Sequence, residues 1–304
     1  MTAESSSLDS PLAVQAALER GDYLADEALA TVVFLALEMR RPLFLEGEPG
    51  SGKTELGRTL ARVTGGRLIR LQCYDGIDVS QALYEWDYAR QLLHLRASER
   101  RSAVEPDQVE DELYSPRFLI RRPLLQALEG EPDEPRPVLL IDEIDRADDE
   151  FDAFLLELLS DYSVTIPEIG TIAAARAPVV VLTSNRTRDV HDALKRRSLY
   201  HWIEHPDLER EVAIVKRRLP TVEIGLARQV AAAVEEIRRL DLYKPPGVAE
   251  TLNWAEALGR LAIRVLDAAV LEATIGTLLK NREDIERARA EAPRALAASR
   301  AKAR

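Results

Sequence analysis

GEPGSGKTEL, residues 47–56, decides how the chain is read. Gly47, Gly52, Lys53 and Thr54 stand at the spacing G-x-x-x-x-G-K-[ST], with Glu48, Pro49, Gly50 and Ser51 between them and no mismatch. The spacing has a chemical reason. Glycines let the backbone turn tightly and aim successive N–H groups at phosphate oxygens. Lys53 then reaches the β- and γ-phosphates, and the Thr54 hydroxyl takes a Mg²⁺ ion. The flanks agree. Pro42-Leu43-Phe44-Leu45-Glu46 is a short apolar strand, and the stretch from Glu55 to Val63 has Leu56, Leu60 and Val63 on one helical face. A helix start favours anions, so strand, loop and helix make a nucleotide phosphate cradle covering Gly47 to Glu55. A chance turn of Gly, Pro and Ser would have neither flank.

The bulk properties narrow the class. The chain has 304 residues, one large or two modest domains, and 46% of them are hydrophobic, enough for a core. Net charge is −11, which argues against nucleic-acid binding through a general basic face, although a local basic channel is compatible with it. One cysteine, Cys73, excludes an internal disulfide and suggests a reducing compartment. It ends the strand-like run Leu68 to Cys73 and reads as a small buried hydrophobe. No apolar run approaches a membrane span, and MTAESSSLDSP has no signal pattern, so a soluble cytoplasmic protein is expected.

Further strands and helices alternate after the loop. Residues 1–11 read as disordered. Leu12 to Leu18 and Asp26 to Met39 read as helices. Asp75 to Arg101 is amphipathic, Glu105 to Glu112 is an acidic connector, and Phe118 to Leu128 reads as a helix. The three prolines between Glu131 and Pro137 mark a linker. Val138 to Ile141 and Pro178 to Leu182 are unbroken apolar runs of the kind found in a parallel sheet covered on both faces. Asp148 to Leu159 is a helix. Val164-Thr165-Ile166 and Thr171-Ile172 flank a turn as a hairpin. The pattern predicts an α/β parallel sheet with right-handed crossovers. From about His205-Pro206 onward only helical patterns remain: Glu209 to Leu219, Ile224 to Leu240, Val248 to Leu266 and Asp267 to Leu279. The expected division is an N-terminal segment 1–24, an α/β domain 25–205, a small helical domain 206–280 and an Ala/Arg-rich tail 281–304.

Two strand ends carry the remaining chemistry. Val138-Leu139-Leu140-Ile141 runs into Asp142 and Glu143. The carboxyl end of a parallel strand opens on the ligand crevice, which suits Asp142 to the Mg²⁺ shell and Glu143 to the attacking water. The competing reading is an acidic first turn of the next helix. Val179 to Ser184 ends at Asn185, which can hydrogen-bond the same water or the γ-phosphate, or simply form a turn. Asp192-Ala193-Leu194-Lys195-Arg196-Arg197 offers guanidinium groups, and Arg196 or Arg197 is expected to act on a neighbouring subunit's nucleotide. A basic helix end complementing its dipole is the alternative.

GEPGSGKT, LLIDEID, VVLTSN and ALKRR, in this order, resemble the motifs of an AAA+ ATPase. The segment YDGIDVSQALYEWDYARQLLHLR and the hairpin VTIPEIGTI resemble the MoxR branch, and SPRFLIRRPLLQAL is similar to its CoxD-like subgroup, tied to maturation of the molybdenum–copper centre of carbon monoxide dehydrogenase. The resemblance covers about residues 25 to 280. It implies a P-loop NTPase core with a helix-2 insertion and a pre-sensor hairpin, and a C-terminal all-α lid domain. It implies ATP and Mg²⁺ as ligands and a ring homo-oligomer, a hexamer, with nucleotide between subunits. It also implies a von Willebrand factor A-domain partner and a chaperone role in metal-cofactor insertion into a client metalloenzyme. The inserted helices would touch the client, with Tyr84, Trp86 and Tyr88 either gripping it or packing the insertion on the body. The lid arginine of such proteins is missing: Glu250 stands in its place, and either Lys244 or Arg260 substitutes or lid closure is not read by a cation.

Other classes stay open at the level of sequence. A nucleotide-switched assembly module would bind a partner in the ATP state and hydrolyse slowly. A DNA-remodelling ATPase is disfavoured by the negative charge, and a small-molecule kinase by the Asn185 strand and paired arginines.

Overall fold

The computed structural model describes residues 8–98, 112–291, 293–294 and 296–297. The expected disorder of residues 1–11 falls mainly outside this range, as do nearly all of the Glu105–Glu112 connector and the end of the tail.

Helices α1 (Pro11–Arg20) and α2 (Glu27–Met39) precede β1 (Leu43–Gly47), α3 (Lys53–Thr64) and β2 (Leu68–Gln72). A short helix α4 (Val79–Ala82), strand β3 (Tyr84–Trp86) and helix α5 (Tyr88–Ser98) follow. After the undescribed stretch come β4 (Leu119–Arg121), α6 (Pro123–Leu128), β5 (Val138–Asp142) and α7 (Asp149–Asp161). The hairpin β6 (Ser163–Ile166) and β7 (Gly170–Ala173) leads to β8 (Val179–Ser184), α8 (Asp192–Arg197) and β9 (Leu199–Ile203). Five helices complete the described chain: α9 (Leu208–Arg218), α10 (Ile224–Arg238), α11 (Val248–Arg260), α12 (Ala268–Leu278) and α13 (Arg282–Ala290).

The main sheet runs β2-β5-β8-β1-β9, and β2, β5, β8 and β1 pair in parallel. Every residue of β1, β5 and β8 is buried, as expected for parallel strands covered on both faces. β2 instead alternates, with Leu68 and Arg70 exposed and Ile69 and Leu71 buried, because it is an edge strand. The chain divides into two compact units. One takes Glu27–Glu46 and Gly57–His201 with the stretch up to Ala17; the other takes Leu18–Asp26, Gly47–Leu56 and the chain from Trp202.

The first unit's core packs Phe44, Leu139, Ile141, Val180 and Leu182 of the sheet against Phe151, Leu155 and Leu158 of α7. Asp148 caps α7 by accepting from the Phe151 N–H at 2.8 Å. The second unit's core centres on the fully buried Trp254, whose indole N–H donates to Thr274 Oγ1 at 2.8 Å. Ala231 and Ala233 of α10 belong to the same core, and side chains that small let helices approach closely.

Three expectations need correction. Phe118 to Leu128 is not one helix: Leu119–Arg121 is a strand antiparallel to β3, with Trp86 opposite Leu119. Pro123 forces Arg122 into an extended conformation (φ −91°, ψ 170°), so the helix starts only at the proline. Second, the insertion is not purely helical, since β3 interrupts it. Third, the structure adds β9, where Leu199-Tyr200-His201-Trp202-Ile203 carries the aromatic, branched composition of a strand.

Candidate active site

The phosphate loop leaves β1 and closes on itself. Lys53 Nζ donates to the Gly47 carbonyl at 2.6 Å and the Glu48 carbonyl at 2.8 Å, with Ser51 Oγ 3.5 Å away. Lys53 is 6% exposed, so its charge sits inside a ring of oxygens at the start of α3. Thr54 and Glu55 form the first turn of that helix, and Glu55 pairs with Arg218 of α9 at 3.3 Å. Gly50 has φ +76°, a left-handed backbone that glycine adopts freely. A Cβ there would stand 2.7 Å from the Gly247 Cα. The Gly50 carbonyl accepts the Val248 N–H at 2.9 Å, so the loop is bonded to the first turn of α11.

That first turn carries no cation. Glu250 turns back to accept its own Gly247 N–H at 3.0 Å, a capping arrangement that leaves its carboxylate beside Gly50. Arg260 ends the same thirteen-residue helix, about 18 Å along the axis at 1.5 Å per residue, and pairs with Glu256. Arg260 therefore stands at the end of α11 away from Gly50. Lys244 is exposed, with its backbone N–H bound to Asp284. Beneath this turn Arg238 donates to Glu211 through both terminal nitrogens, at 2.6 and 2.8 Å, and to the Pro246 carbonyl. His205 has a buried ring Nδ1 without a hydrogen-bond partner. Burial, then Arg238 and Lys53, push its pKa down to about 4, so the ring is neutral.

In the other unit, Asp142, Glu143 and Asn185 come together at the carboxyl ends of β5 and β8. Asp142 and Glu143 are linked by Thr183, which sequence reasoning passes over. Its hydroxyl donates to Asp142 Oδ1 at 2.6 Å and accepts the Glu143 N–H at 2.9 Å. Only the run of polar residues ending the VVVLTSN strand hinted at it. Asp142 is buried, and its second oxygen is held by Arg70 of β2 at 2.6 Å. Glu143 adopts φ +56° and pairs with Arg146 at 2.7 Å. Cys73, at the end of β2, donates its N–H to the Asp142 carbonyl at 2.8 Å. Burial and the surrounding carboxylates push the thiol up to about 12, which leaves it protonated and inert.

Arg196 and Arg197 close the six-residue α8 and are exposed. Arg196 pairs with Asp192 at 2.6 Å. The backbone carbonyls of both arginines are capped by Arg41 at 2.7 and 2.9 Å, a contact from far along the sequence. Lys195 lies 3.7 Å from Glu46, the buried carboxylate just ahead of the phosphate loop, which also accepts from Tyr200 at 2.9 Å. Of the insertion's aromatics, Trp86 is buried and meets the rings of Tyr84 and Tyr114 edge-on, whereas Tyr88 is exposed.

A parallel sheet with a phosphate loop after one strand and paired carboxylates at the end of another defines a P-loop nucleotide-binding protein of the AAA+ class, with helices following at its C-terminal side. A family model described as AAA domain (dynein-related subfamily) matches residues 42–198, more than half of the 304 residues, and the chain belongs to that family. Among solved structures it is similar to the Thermotoga maritima RuvB Holliday junction branch migration motor. That match has 18% identity, 83% coverage of this chain, 68% of that chain and a TM-score of 0.47. A point mutant of the same RuvB gives 16% identity, 89% and 72% coverage and a TM-score of 0.47. Among the described residues no helix is long and apolar enough to cross a membrane.

Proposed function

We propose that this chain is a Mg²⁺-dependent ATPase of the MoxR type that works as a ring homo-oligomer, a hexamer, and remodels a client protein in the cytoplasm. The observation that carries the ATPase reading is the Thr183 bridge, which fixes Asp142 and the Glu143 backbone as one polar cluster at the ends of β5 and β8. β1 follows β8 in the sheet, and the phosphate loop continues directly from β1.

The donor set fits the ligands. Among the described residues no group of three or more His, Cys, Asp or Glu could hold a metal alone. That suits Mg²⁺, which takes one or two protein oxygens and completes its shell with phosphate and water. Thr54 and Asp142 would supply the protein oxygens. When bound, the ion neutralises charge on the transferred phosphoryl group. Lys53 exchanges its loop carbonyls for phosphate oxygens. Glu143 takes a proton from the attacking water, Asn185 orients that water, and the products are ADP and phosphate. Arg196 or Arg197 reaches the nucleotide of the adjoining subunit. Residues 25–205 serve as the nucleotide domain and 206–280 as the lid.

The MoxR assignment is supported by the β6–β7 hairpin and by the insertion built around β3 and β4. The partner would then be a von Willebrand factor A-domain protein and the client a metalloenzyme, a molybdenum hydroxylase such as carbon monoxide dehydrogenase.

A second reading has an observation of its own. Both acidic residues at the end of β5 are neutralised by arginines, Asp142 by Arg70 and Glu143 by Arg146. Such a site suits a slow, nucleotide-switched assembly module. Glu143→Gln separates the readings from a non-nucleotide enzyme: it should keep ATP binding and lose hydrolysis, and normal turnover would sink the assignment. Wild-type turnover that stays slow until a partner is added would favour the switch. Mixing Arg196→Ala or Arg197→Ala with Lys53→Ala protein tests the ring, since activity returns on mixing only if the arginine acts across subunits.

A further inference from the structure

Asp145 is the third carboxylate of LLIDEID, and neither the motif nor the proposed chemistry gives it a role. It lies two residues beyond Glu143 in the short 3₁₀ turn Ile144–Arg146 and is 3% exposed. A buried carboxylate must be compensated, and its partners show where it acts. Oδ1 accepts the Asn185 N–H at 3.2 Å. Oδ2 accepts the Thr187 N–H at 2.8 Å and the Thr187 hydroxyl at 2.7 Å. One side chain thus grips the loop after β8 on both sides of Arg186.

Arg186 sits at φ +61°, a conformation that strains a non-glycine residue and persists only where the surroundings over-determine it. The Ser184 hydroxyl adds a third restraint by accepting the Arg186 N–H at 3.0 Å. Glu143, on the neighbouring strand end, is left-handed as well. Further along, Asp152 of α7 takes both terminal nitrogens of Arg188 at 2.9 Å and the His191 N–H at 3.0 Å. The strained turn is therefore locked to the segment that carries Glu143.

We infer that Asp145 is a positioning residue: it fixes the backbone of Asn185 relative to Glu143, so that the polar side chain following β8 faces the reaction rather than solvent. The inference rests on the proposed role of Asn185. Misplacing a catalytic group by about 1 Å can slow chemistry a hundredfold while binding is kept.

The test uses the full-length protein, single-turnover ATP hydrolysis, and equilibrium binding of a fluorescent ATP analogue. Asn185→Ala is measured first. If it leaves the hydrolysis rate unchanged, the role of Asn185 falls and this inference falls with it. If it slows hydrolysis, Asp145→Asn should slow it at least about tenfold with analogue affinity unchanged. The double variant should be no slower than Asn185→Ala alone, because two residues acting through one group are not additive. Additive losses, or an unchanged rate in Asp145→Asn, would overturn the inference while leaving the role of Asn185 intact. Should Asp145→Asn not fold, Thr187→Val removes one donor to the same carboxylate and Thr187→Ser restores it. The first should be slow and the second close to wild type, and equal rates for the two overturn the inference.

Discussion

Arg70 Nη2 lies 2.6 Å from Asp142 Oδ2, so a guanidinium from the edge strand holds the carboxylate proposed for the metal. Arg70 is half in solvent while Asp142 is almost wholly buried, and the pair is charge-assisted on only one solvated side. In Arg70→Ala, Asp142 loses this cation and keeps the Thr183 hydroxyl. The nucleotide-free protein should lose roughly 1–2 kcal/mol, read from urea unfolding in EDTA. With Mg²⁺ and nucleotide the gap should narrow, because the ion would supply the missing positive charge. A deficit that is the same with and without Mg²⁺–nucleotide would mean that Asp142 does not face the metal.

Gly50 and Gly247 meet backbone to backbone, and a Cβ on Gly247 would stand 2.6 Å from the Gly50 Cα. Gly247 has an ordinary extended backbone, so Gly247→Ala isolates the steric contact from backbone strain. Neither backbone can yield cheaply. The variant should be destabilised by about 1–3 kcal/mol and should bind ATP less tightly, since the loop must move off α11. Calorimetric unfolding together with nucleotide titration checks both effects. Wild-type affinity in a folded Gly247→Ala protein would show that this contact does not shape the loop.

Glu211 and Arg238 form the most buried ion pair described, with side chains 1% and 10% exposed. Thr251 Oγ1 donates to Glu211 at 2.7 Å, so one carboxylate ties α9, α10 and α11 together. Arg238→Met leaves that carboxylate without its cation and should cost about 3–5 kcal/mol. Replacing both partners with apolar residues should recover most of the loss, because desolvation then disappears along with the attraction. Equal instability of the single and double variants, in denaturant unfolding, would contradict this account.

How much of this was legible in the sequence depended on how local each feature was. The phosphate loop, β5 with Asp142 and Glu143, and the hairpin were readable because a glycine spacing, an apolar run and a turn are written in consecutive residues. Helices α9, α10 and α12 are legible for the same reason, by periodicity, whereas the expected helix Val248 to Leu266 overruns, since α11 ends at Arg260. What stayed hidden is non-local. The pairing of β3 with β4 joins segments on either side of residues 99–111, and nothing in YEW alone announces a strand. Arg70 and Arg41 act on groups 72 and 155 positions away, and a lone arginine in sequence carries no pointer to its acceptor. Thr183 and Asp145 belong to motifs that were noticed, yet their value comes from which neighbouring strand end they face. Glu250 departs from the family pattern in sequence alone, but its capping of Gly247 appears only with the helix in place.

His205 makes the pH dependence of stability specific. Burial, Arg238 and Lys53 hold its pKa near about 4, against an ordinary 6.5. The unfolded chain therefore binds a proton that the folded chain refuses in the window between these values. Stability must rise with pH through that window and fall as the solution is acidified from pH 6.5 towards 4. For a ring that is partly solvated the loss between pH 7.5 and 5 should be on the order of 1–2 kcal/mol from this residue. Other carboxylates titrate nearby, so the informative quantity is a difference. Urea unfolding of wild type and His205→Gln at pH 7.5 and 5 should show a smaller acid loss in the variant. Identical losses would mean that His205 is readily protonated in the folded protein, and that Arg238 and Lys53 do not govern its charge.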